Sequence, residues 1–266
     1  MTGPDVIVSV DGGIGRLVLD RPSVRNALSA DFARQIAAAA AELDADARVR
    51  VIVMSSAAPE HFSVGADLKE RRTLDETGLM AARADSMAAT RALLAVRVPT
   101  VAAIRGTALG GGLELALTCD LVVADASASV GFPETGVGII PGGGGTQLLP
   151  RKIGTGRAGE LILTGRILGA AEAHRYGVVD ILADSDALDT ALRLAETIAS
   201  KSSTAQCNAK TALRQGHGLP LHEALDVEDG LWRSTALSPD YREGLSAFAQ
   251  KRTPCWPEPQ PTGARP

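Results

Sequence analysis

The sequence is poor in aromatic residues, which make up only 3% of its 266 positions. A core with so few rings must be built from alanine, valine, leucine and isoleucine, so any binding pocket is expected to be aliphatic. Cysteine is also scarce, and the three residues Cys119, Cys207 and Cys255 are widely spaced and odd in number. That pattern gives neither a disulfide framework nor a zinc site, and it favours a reducing compartment.

Long basic runs and long apolar runs are both missing. The net charge is −4, and short basic pairs such as Arg71–Arg72 are typical of a solvated surface. This argues against nucleic acid as a partner. No apolar stretch is long enough to span a membrane, and the first residues lack the basic start and apolar segment of a signal peptide. The expected location is the cytoplasm. The four histidines are scattered without ligand spacing, so no metal is expected.

The order of segments predicts an α/β core followed by helices. A strand, a glycine-containing loop and a helix recur three times between residues 49 and 153, and such apolar strands are typical of a sheet covered by crossover helices. After residue 182 the strands stop and four helical patterns follow. We therefore assign a core to residues 1–195, a helical region to 196–254 and a proline-rich, disordered tail to 255–266.

Two of the predicted helices have clear starting signals. Ser29 or Asp31 is the expected N-cap of an alanine-rich helix that ends near Leu43. Ser238 precedes Pro239, and acidic residues follow in the next turns, so another helix is predicted to begin at residue 239.

Two glycine-containing loops each lead directly into the start of a predicted helix. Gly65 in HFSVGADLKE precedes a helix start, and three glycines in RGTALGGGLELAL precede another. The first N–H groups of a helix lack intrahelical partners, so two such starts facing one point would form an oxyanion hole. Each loop alone is most simply a tight strand-to-helix turn. A P-loop is absent, and the GxGxxG segment at residues 154–159 follows a helix, which is the wrong context for a dinucleotide site.

Two glutamates accompany these glycines. Glu114 lies in an apolar helix start, where partial burial would raise its pKa and suit it to proton transfer. Glu134 follows Pro133 and precedes the glycine-rich run GVGIIPGGGG. Most loop glutamates face solvent, but the neighbouring glycines indicate a close approach of backbone to a ligand.

Taken together, these segments resemble the crotonase (enoyl-CoA hydratase/isomerase) family. The similarity covers nearly the whole chain and includes RPSVRNAL, HFSVGADLKE, GTALGGGLELALTCD, GFPETGVGIIPGGGGTQLLPRKIG and FAQKRTP. The blocks ADLKER and IIPGGGGTQLLPRKIG look most like the methylglutaconyl-CoA hydratase branch. The resemblance implies an α/β fold, a spiral of ββα units with a C-terminal all-helical trimerisation region. It also implies a homotrimer, or a hexamer formed by two trimers.

The resemblance further implies a role for individual residues. The N–H groups of Ala66 and Gly111 would form the oxyanion hole, and Glu114 and Glu134 would be the catalytic pair. The substrate would be an acyl-CoA thioester, so coenzyme A is part of the substrate and no separate cofactor is implied. Contacts to the substrate and its CoA are implied for Arg25, Ala27, Gly65, Asp67, Leu68, Lys69, Gly110, Pro133 and Gly142, and for Phe248 and Lys251 of a neighbouring subunit.

Several activities are compatible with the sequence. An enoyl-CoA hydratase would use Glu114 to activate water and Glu134 to donate a proton, and the presence of both acids favours it. The alternatives are a methylglutaconyl-CoA hydratase and an enoyl-CoA isomerase that uses Glu134 alone. A non-catalytic acyl-CoA-binding protein would not need two acids beside an aliphatic pocket. A two-activity β-oxidation enzyme would need a dinucleotide-binding domain for which no residues remain.

Overall fold

The computed structural model describes residues 4–256. Its strands are β1 (Val6–Asp11), β2 (Ile14–Leu19), β3 (Val51–Ser56), β4 (His61–Ser63), β5 (Thr100–Ile104), β6 (Thr107–Leu109), β7 (Leu121–Ala124), β8 (Ser129–Gly131), β9 (Ile167–Gly169) and β10 (Ile181–Leu182). Its helices are α1 (Ala30–Ala45), α2 (Leu68–Arg71), α3 (Glu76–Ala95), α4 (Gly111–Leu117), α5 (Gly145–Ile153), α6 (Thr155–Thr164), α7 (Ala170–Tyr176), α8 (Ala187–Ala199), α9 (Ser203–Gly216), α10 (Leu221–Ala236) and α11 (Pro239–Ala249).

Two sheets are built from alternate strands of the chain. The larger has the order β1-β2-β3-β5-β7-β10 and the smaller the order β4-β6-β8-β9. The pairs β3–β5 and β5–β7 are parallel, as are β4–β6 and β6–β8. The consecutive pairs β3–β4, β5–β6 and β7–β8 therefore each place one strand in each sheet before the chain enters the next helix. This confirms the predicted α/β fold and explains the recurring pattern, which consists of ββα units.

The core lies on both faces of the larger sheet. On one face the fully buried rings of Phe32, Phe62 and Phe132 pack with the aliphatic side chains of α1 and α4. On the other face α8 presents a row of buried alanines spaced four residues apart, Ala187, Ala191 and Ala195. Small side chains at this helical spacing let the helix pack closely on the valine-rich strands. Position 195, where the core was predicted to end, thus lies within a helix that packs against the sheet.

The last three helices are joined to the core mainly through α9. The Lys210 side chain, only 7% exposed, donates to the Val98 carbonyl oxygen at 2.6 Å and contacts Asp120 at 2.8 Å. Arg214 contacts the same carboxylate at 2.7 Å. A buried ammonium needs such partners because desolvation of an unpaired charge is costly. In contrast, α10 buries none of its residues.

The C-terminal helices leave many large apolar side chains exposed. They include Leu213, Leu221, Leu225, Trp232, Leu237, Tyr241, Leu245 and Phe248. A cluster of this kind is typical of a surface that binds another protein. None of the helices within residues 4–256 combines the length and hydropathy needed to cross a bilayer.

Most of the predicted tail, residues 257–266, lies outside the described part of the chain. The two described residues of that segment are hydrogen-bonded. The Cys255 N–H donates to the Glu243 carboxylate at 2.7 Å, and the Trp256 indole N–H donates to the Ser200 carbonyl oxygen at 2.8 Å.

Candidate active site

The glycine-containing loops meet at a cavity of about 850 Å³. Its wall includes residues from the segment 64–71, the start of α4, helix α3, and the segment from Pro133 to Gln147. The lining is predominantly apolar and aliphatic, as expected for a sequence with so few aromatic residues. Exposed side chains at its edge come from Leu79, Met80, Ile139 and Ile140. A cavity of this size and character suits a small organic ligand with an aliphatic part.

Two backbone N–H groups lie unpaired at the cavity wall, one from Ala66 and one from Gly111. Ala66 forms a parallel bridge with Leu28, in which the flanking residues Gly65 and Asp67 make both hydrogen bonds. The N–H of Ala66 itself therefore points to the opposite side. Gly111 is the first residue of α4, so its N–H has no intrahelical partner. Neither group donates a hydrogen bond to any residue between 4 and 256.

The two N–H groups are close together because the loops that carry them touch. A Cβ atom placed on Gly65 would lie 3.1 Å from the Gly111 nitrogen and 2.7 Å from the Leu109 carbonyl oxygen. Gly65 also has a φ of +83°, which L side chains rarely adopt. The close contact and the backbone angle both require glycine there. Two convergent donors at a helix start form a site for negative charge on an oxygen atom.

The Glu114 carboxylate borders the same cavity and is held by backbone donors. The side chain is buried, and its Oε1 accepts from the Gly145 N–H at 2.7 Å. Phe132 packs directly beneath Gly145, where a Cβ atom would lie 2.7 Å from its ring. Burial raises the pKa of Glu114, while hydrogen bonds from the N–H groups of Gly145 and Gly143 partly offset that effect. The result is a fixed carboxylate of increased basicity.

Glu134 lies against Gly110, the residue that precedes α4. It occupies a 3-10 turn at Pro133–Val137, and a Cβ atom on Gly110 would lie 2.6 Å from its Oε1. Its Oε2 is buried and has no hydrogen-bond partner among the described residues. Burial and, to a lesser extent, the negative charge of Glu114 raise the pKa of Glu134 to about 7. A carboxyl group with this pKa can exist in either protonation state at neutral pH.

The structure brings nine of the predicted site residues to the cavity, and one further residue that was not predicted. These are Gly65, Ala66, Leu68, Gly110, Gly111, Glu114, Pro133, Glu134 and Gly142, together with Leu28 of the RPSVRNAL segment. Arg25 and Lys69 are exposed, and Ala27 is buried. The Asp67 carboxylate accepts from the N–H groups of Lys69 and Glu70 and so caps α2.

The predicted CoA contacts at the C-terminus are remote from this chain's own cavity. Phe248 is 86% exposed, and neither it nor Lys251 lines the cavity. Their roles, like those of Arg25, Ala27, Asp67 and Lys69, stay predictions.

The sequence indicated that the loop and helix between about Leu68 and Ala95 set the acyl-chain preference, but it did not show which of their side chains line the site. Met80, Arg83 and Met87 line the cavity from this helix, and Thr90 ties the helix to the glycine-rich loop by donating to the Gly143 carbonyl oxygen at 2.9 Å. Arg71, which the pattern assigned to a solvated pair, also lines the cavity. The successive spacings of three and four residues from Met80 to Arg83 to Met87, which place them on one face of a helix, were the available signal, but the polar residues between them obscured it.

Comparison with known proteins places this architecture in one family. Residues 9–259 match the enoyl-CoA hydratase/isomerase family. The chain is 41% identical over 255 residues to a probable enoyl-CoA hydratase of Mycobacterium tuberculosis, covering 96% of this chain and 98% of the relative. It is 39% identical over 251 residues to the mitochondrial enoyl-CoA hydratase domain-containing protein 2 of Homo sapiens, covering 92% and 85%.

A solved structure supports the same assignment. The enoyl-CoA hydratase of Bacillus anthracis superposes with a TM-score of 0.91 at 37% identity, covering 95% of this chain and 98% of that one. The crotonase-like fold predicted from the sequence is therefore confirmed, including the presence of C-terminal helices. The chain belongs to the enoyl-CoA hydratase/isomerase family.

Proposed function

We propose that this protein is an enoyl-CoA hydratase, which adds water across the 2,3 double bond of a trans-2-enoyl-CoA to give a 3-hydroxyacyl-CoA. The observation that carries the proposal is the arrangement of two carboxyl groups, Glu114 and Glu134, around one pair of unpaired N–H groups in an apolar cavity. An acyl-CoA binding protein would not need this pair. Relatives named as enoyl-CoA hydratases add support.

In the proposed mechanism, the thioester carbonyl oxygen accepts hydrogen bonds from the N–H groups of Ala66 and Gly111. Negative charge grows on that oxygen when a nucleophile attacks C3, so fixed donors stabilise the transition state more than the ground state. Water loses a proton to one carboxylate as its oxygen bonds to C3. The other carboxyl group then protonates C2 of the enolate. Proton exchange with solvent returns both groups to their starting states.

The environments of the two acids favour a division of roles. Glu114 accepts hydrogen bonds from backbone N–H groups, which stabilise its ionised form and suit it to take the proton from water. Glu134 has a pKa of about 7 and an unpaired oxygen, which suit it to donate the proton to C2. The two groups interact electrostatically, so the titration belongs to the pair.

The identity of the product tests the proposed function. Purified protein incubated with trans-2-butenoyl-CoA should yield 3-hydroxybutanoyl-CoA, and a 3-enoyl-CoA should remain unchanged over the same period. Chromatography with mass detection measures both, because hydration adds the mass of water and isomerisation adds none. Interconversion of 2-enoyl and 3-enoyl thioesters without a hydrated product would instead support an isomerase that uses Glu134 alone.

The rate of hydration is expected to depend on pH through both acids. Glu134 must carry a proton to donate it, so kcat/KM should fall as the pH rises through about 7, approaching tenfold per pH unit. Glu114 must be ionised to accept a proton, so kcat/KM should also fall on the acidic side, below its raised pKa. Initial rates measured across the pH range would show a bell-shaped profile. A profile that stays level on the alkaline side would contradict the role given to Glu134.

We also propose that the C-terminal helices assemble the protein into a homotrimer or a hexamer. The exposed leucines and Trp232 of α9–α11 and the absence of buried residues in α10 support this, since such surfaces are usually covered. Light scattering should give a mass three or six times that of the chain. A monomeric mass would exclude the proposal, and with it the contact of Phe248 and Lys251 with a neighbour's CoA.

A further inference from the structure

The cavity contains a positive charge that the proposed mechanism does not use. Arg83, on α3, lines the cavity, and its Nη1 atom is buried without a hydrogen-bond partner among the described residues. No acidic residue between positions 4 and 256 forms an ion pair with the Arg83 guanidinium. An unpaired buried donor on a charged group is costly, so the protein gains stability when an acceptor is supplied.

The position of the guanidinium follows from its contact with the glycine-rich loop. A Cβ atom on Gly142 would lie 3.5 Å from the Arg83 Nε, and a Cβ atom on the next residue, Gly143, would lie 2.5 Å from the Glu114 Oε2. Adjacent Cα atoms are about 3.8 Å apart, so Arg83 and Glu114 contact neighbouring positions of one loop. Both side chains line the same cavity and interact electrostatically.

The order of these contacts relates Arg83 to the substrate. Gly111, with its unpaired N–H, is the first residue of α4, and Glu114 lies in the first turn of the same helix. The Glu114 carboxylate contacts Gly143, and the adjacent residue Gly142 contacts Arg83. In the proposed hydratase the thioester carbonyl binds at the N–H pair and C3 lies beside Glu114. Substrate atoms beyond C3 would then approach Arg83.

We infer that Arg83 binds a carboxylate on the acyl chain, and that the preferred substrates are short 2-enoyl-CoA thioesters ending in a second carboxyl group. This inference rests on the proposed hydratase function. A guanidinium presents a planar set of donors that matches a carboxylate in two parallel hydrogen bonds. The surrounding cavity wall is apolar, which strengthens such a pair and disfavours an uncompensated charge.

A different role for Arg83 is to act on Glu114. The positive charge of Arg83 lowers the pKa of Glu114 and so opposes part of the effect of burial. Loss of that charge would change hydration of every substrate and would move the acidic side of the pH profile. Carboxylate binding would instead affect only substrates that carry the second carboxyl group.

Two substrates matched in length separate these roles. One is trans-glutaconyl-CoA, in which C5 is a carboxylate, and the other is trans-2-hexenoyl-CoA, which is uncharged at that end. Replacing Arg83 with methionine, R83M, should lower the ratio of their kcat/KM values by about 30-fold, the effect of losing one charged hydrogen-bond pair. Arg83→Lys should restore part of the ratio, because it keeps the charge without the planar fork. Arg91→Met is the control, since Arg91 is exposed on the same helix and does not line the cavity.

The outcomes distinguish the inference from the function on which it rests. Wild-type preference for glutaconyl-CoA, lost in R83M and kept in the Arg91 variant, supports the inference. An equal loss for both substrates in R83M, or wild-type preference for hexenoyl-CoA, overturns it while leaving the hydratase function intact. If the wild type hydrates neither substrate, the proposed function itself fails.

Discussion

Replacing Glu114 or Glu134 with glutamine is expected to lower kcat for hydration of trans-2-butenoyl-CoA by about 10³-fold. Glutamine has nearly the shape of glutamate, and its side-chain oxygen can still accept the hydrogen bond that Glu114 receives from the Gly145 N–H. The amide can neither take a proton from water nor give one to C2. The loss should therefore appear in kcat, with a much smaller change in KM, because binding of the thioester depends on other groups.

The pair of single variants also separates the candidate reactions. If both lose hydration, both acids take part. If Glu114→Gln keeps most of the activity and Glu134→Gln loses it, chemistry with one acid is indicated and the hydratase mechanism is wrong. Glu196→Gln provides a control, because Glu196 is exposed on α8, on the face of the sheet that lies away from the cavity. Circular dichroism and thermal unfolding of each variant would show whether folding is retained.

The double variant carries further information. Two groups that act on one water molecule and one enolate work as a unit, so their effects should not multiply. We expect the double variant to be only slightly slower than the worse single variant. Multiplication of the two losses would mean that each acid contributes to a separate step.

Local signals in the sequence were sufficient for the elements with strong caps and strong apolar patterns. Ser29 caps α1 by accepting from the Phe32 N–H at 3.1 Å, and Ser238 caps α11, which begins at Pro239 as predicted. Strands β3 and β5 are fully buried apart from one end, which is why continuous apolar runs revealed them. In each case the determining interactions lie within a few residues of the chain.

Elements defined by long-range contacts were not visible in the sequence. Strands β4 and β6 have three residues each, too few to show a period of two. They exist because they pair with each other, and β6 pairs on its other side with β8. Helix α3 shows no continuous apolar stripe in the sequence, because few of its residues are buried and its inner face borders a cavity instead of the core. For the same reason the sequence did not identify Arg83 as a site residue. Its function depends on the ligand that binds in that cavity.

The two glutamates show the same limit at the level of the site. Glu114 could be singled out because an acid in an apolar helix start is unusual. Glu134 stood out from an ordinary loop residue only through the glycines beside it, and its catalytic role was implied by the resemblance to a family. Its raised pKa arises from burial and from the nearby Glu114, which is 20 residues away in the sequence. Burial produced by distant segments cannot be deduced from neighbouring residues alone.

The glycine-rich loop that contacts Glu114 gives the second large expected effect. Gly143→Ala should lower kcat by about 100-fold, since small displacements of a catalytic group have effects of that size. The added Cβ atom would lie 2.5 Å from the Glu114 Oε2 and 3.0 Å from its Cδ, so either the carboxylate or the loop must move. The backbone angle at this residue is compatible with alanine, so the change tests the close contact and introduces no backbone strain.

A matched control for this variant is Gly136→Ala. Gly136 lies in the 3-10 turn that carries Glu134, its φ is not positive, and a Cβ atom there would meet nothing within 4 Å. This variant should therefore keep wild-type kcat. Steady-state rates with trans-2-butenoyl-CoA and thermal unfolding of both variants make the comparison. Activity of Gly143→Ala within about threefold of wild type, a difference below 1 kcal/mol in the barrier, would show that the position of Glu114 does not depend on this loop. The expected loss, with folding retained and the control unaffected, would mean that the loop holds the carboxylate where water is activated.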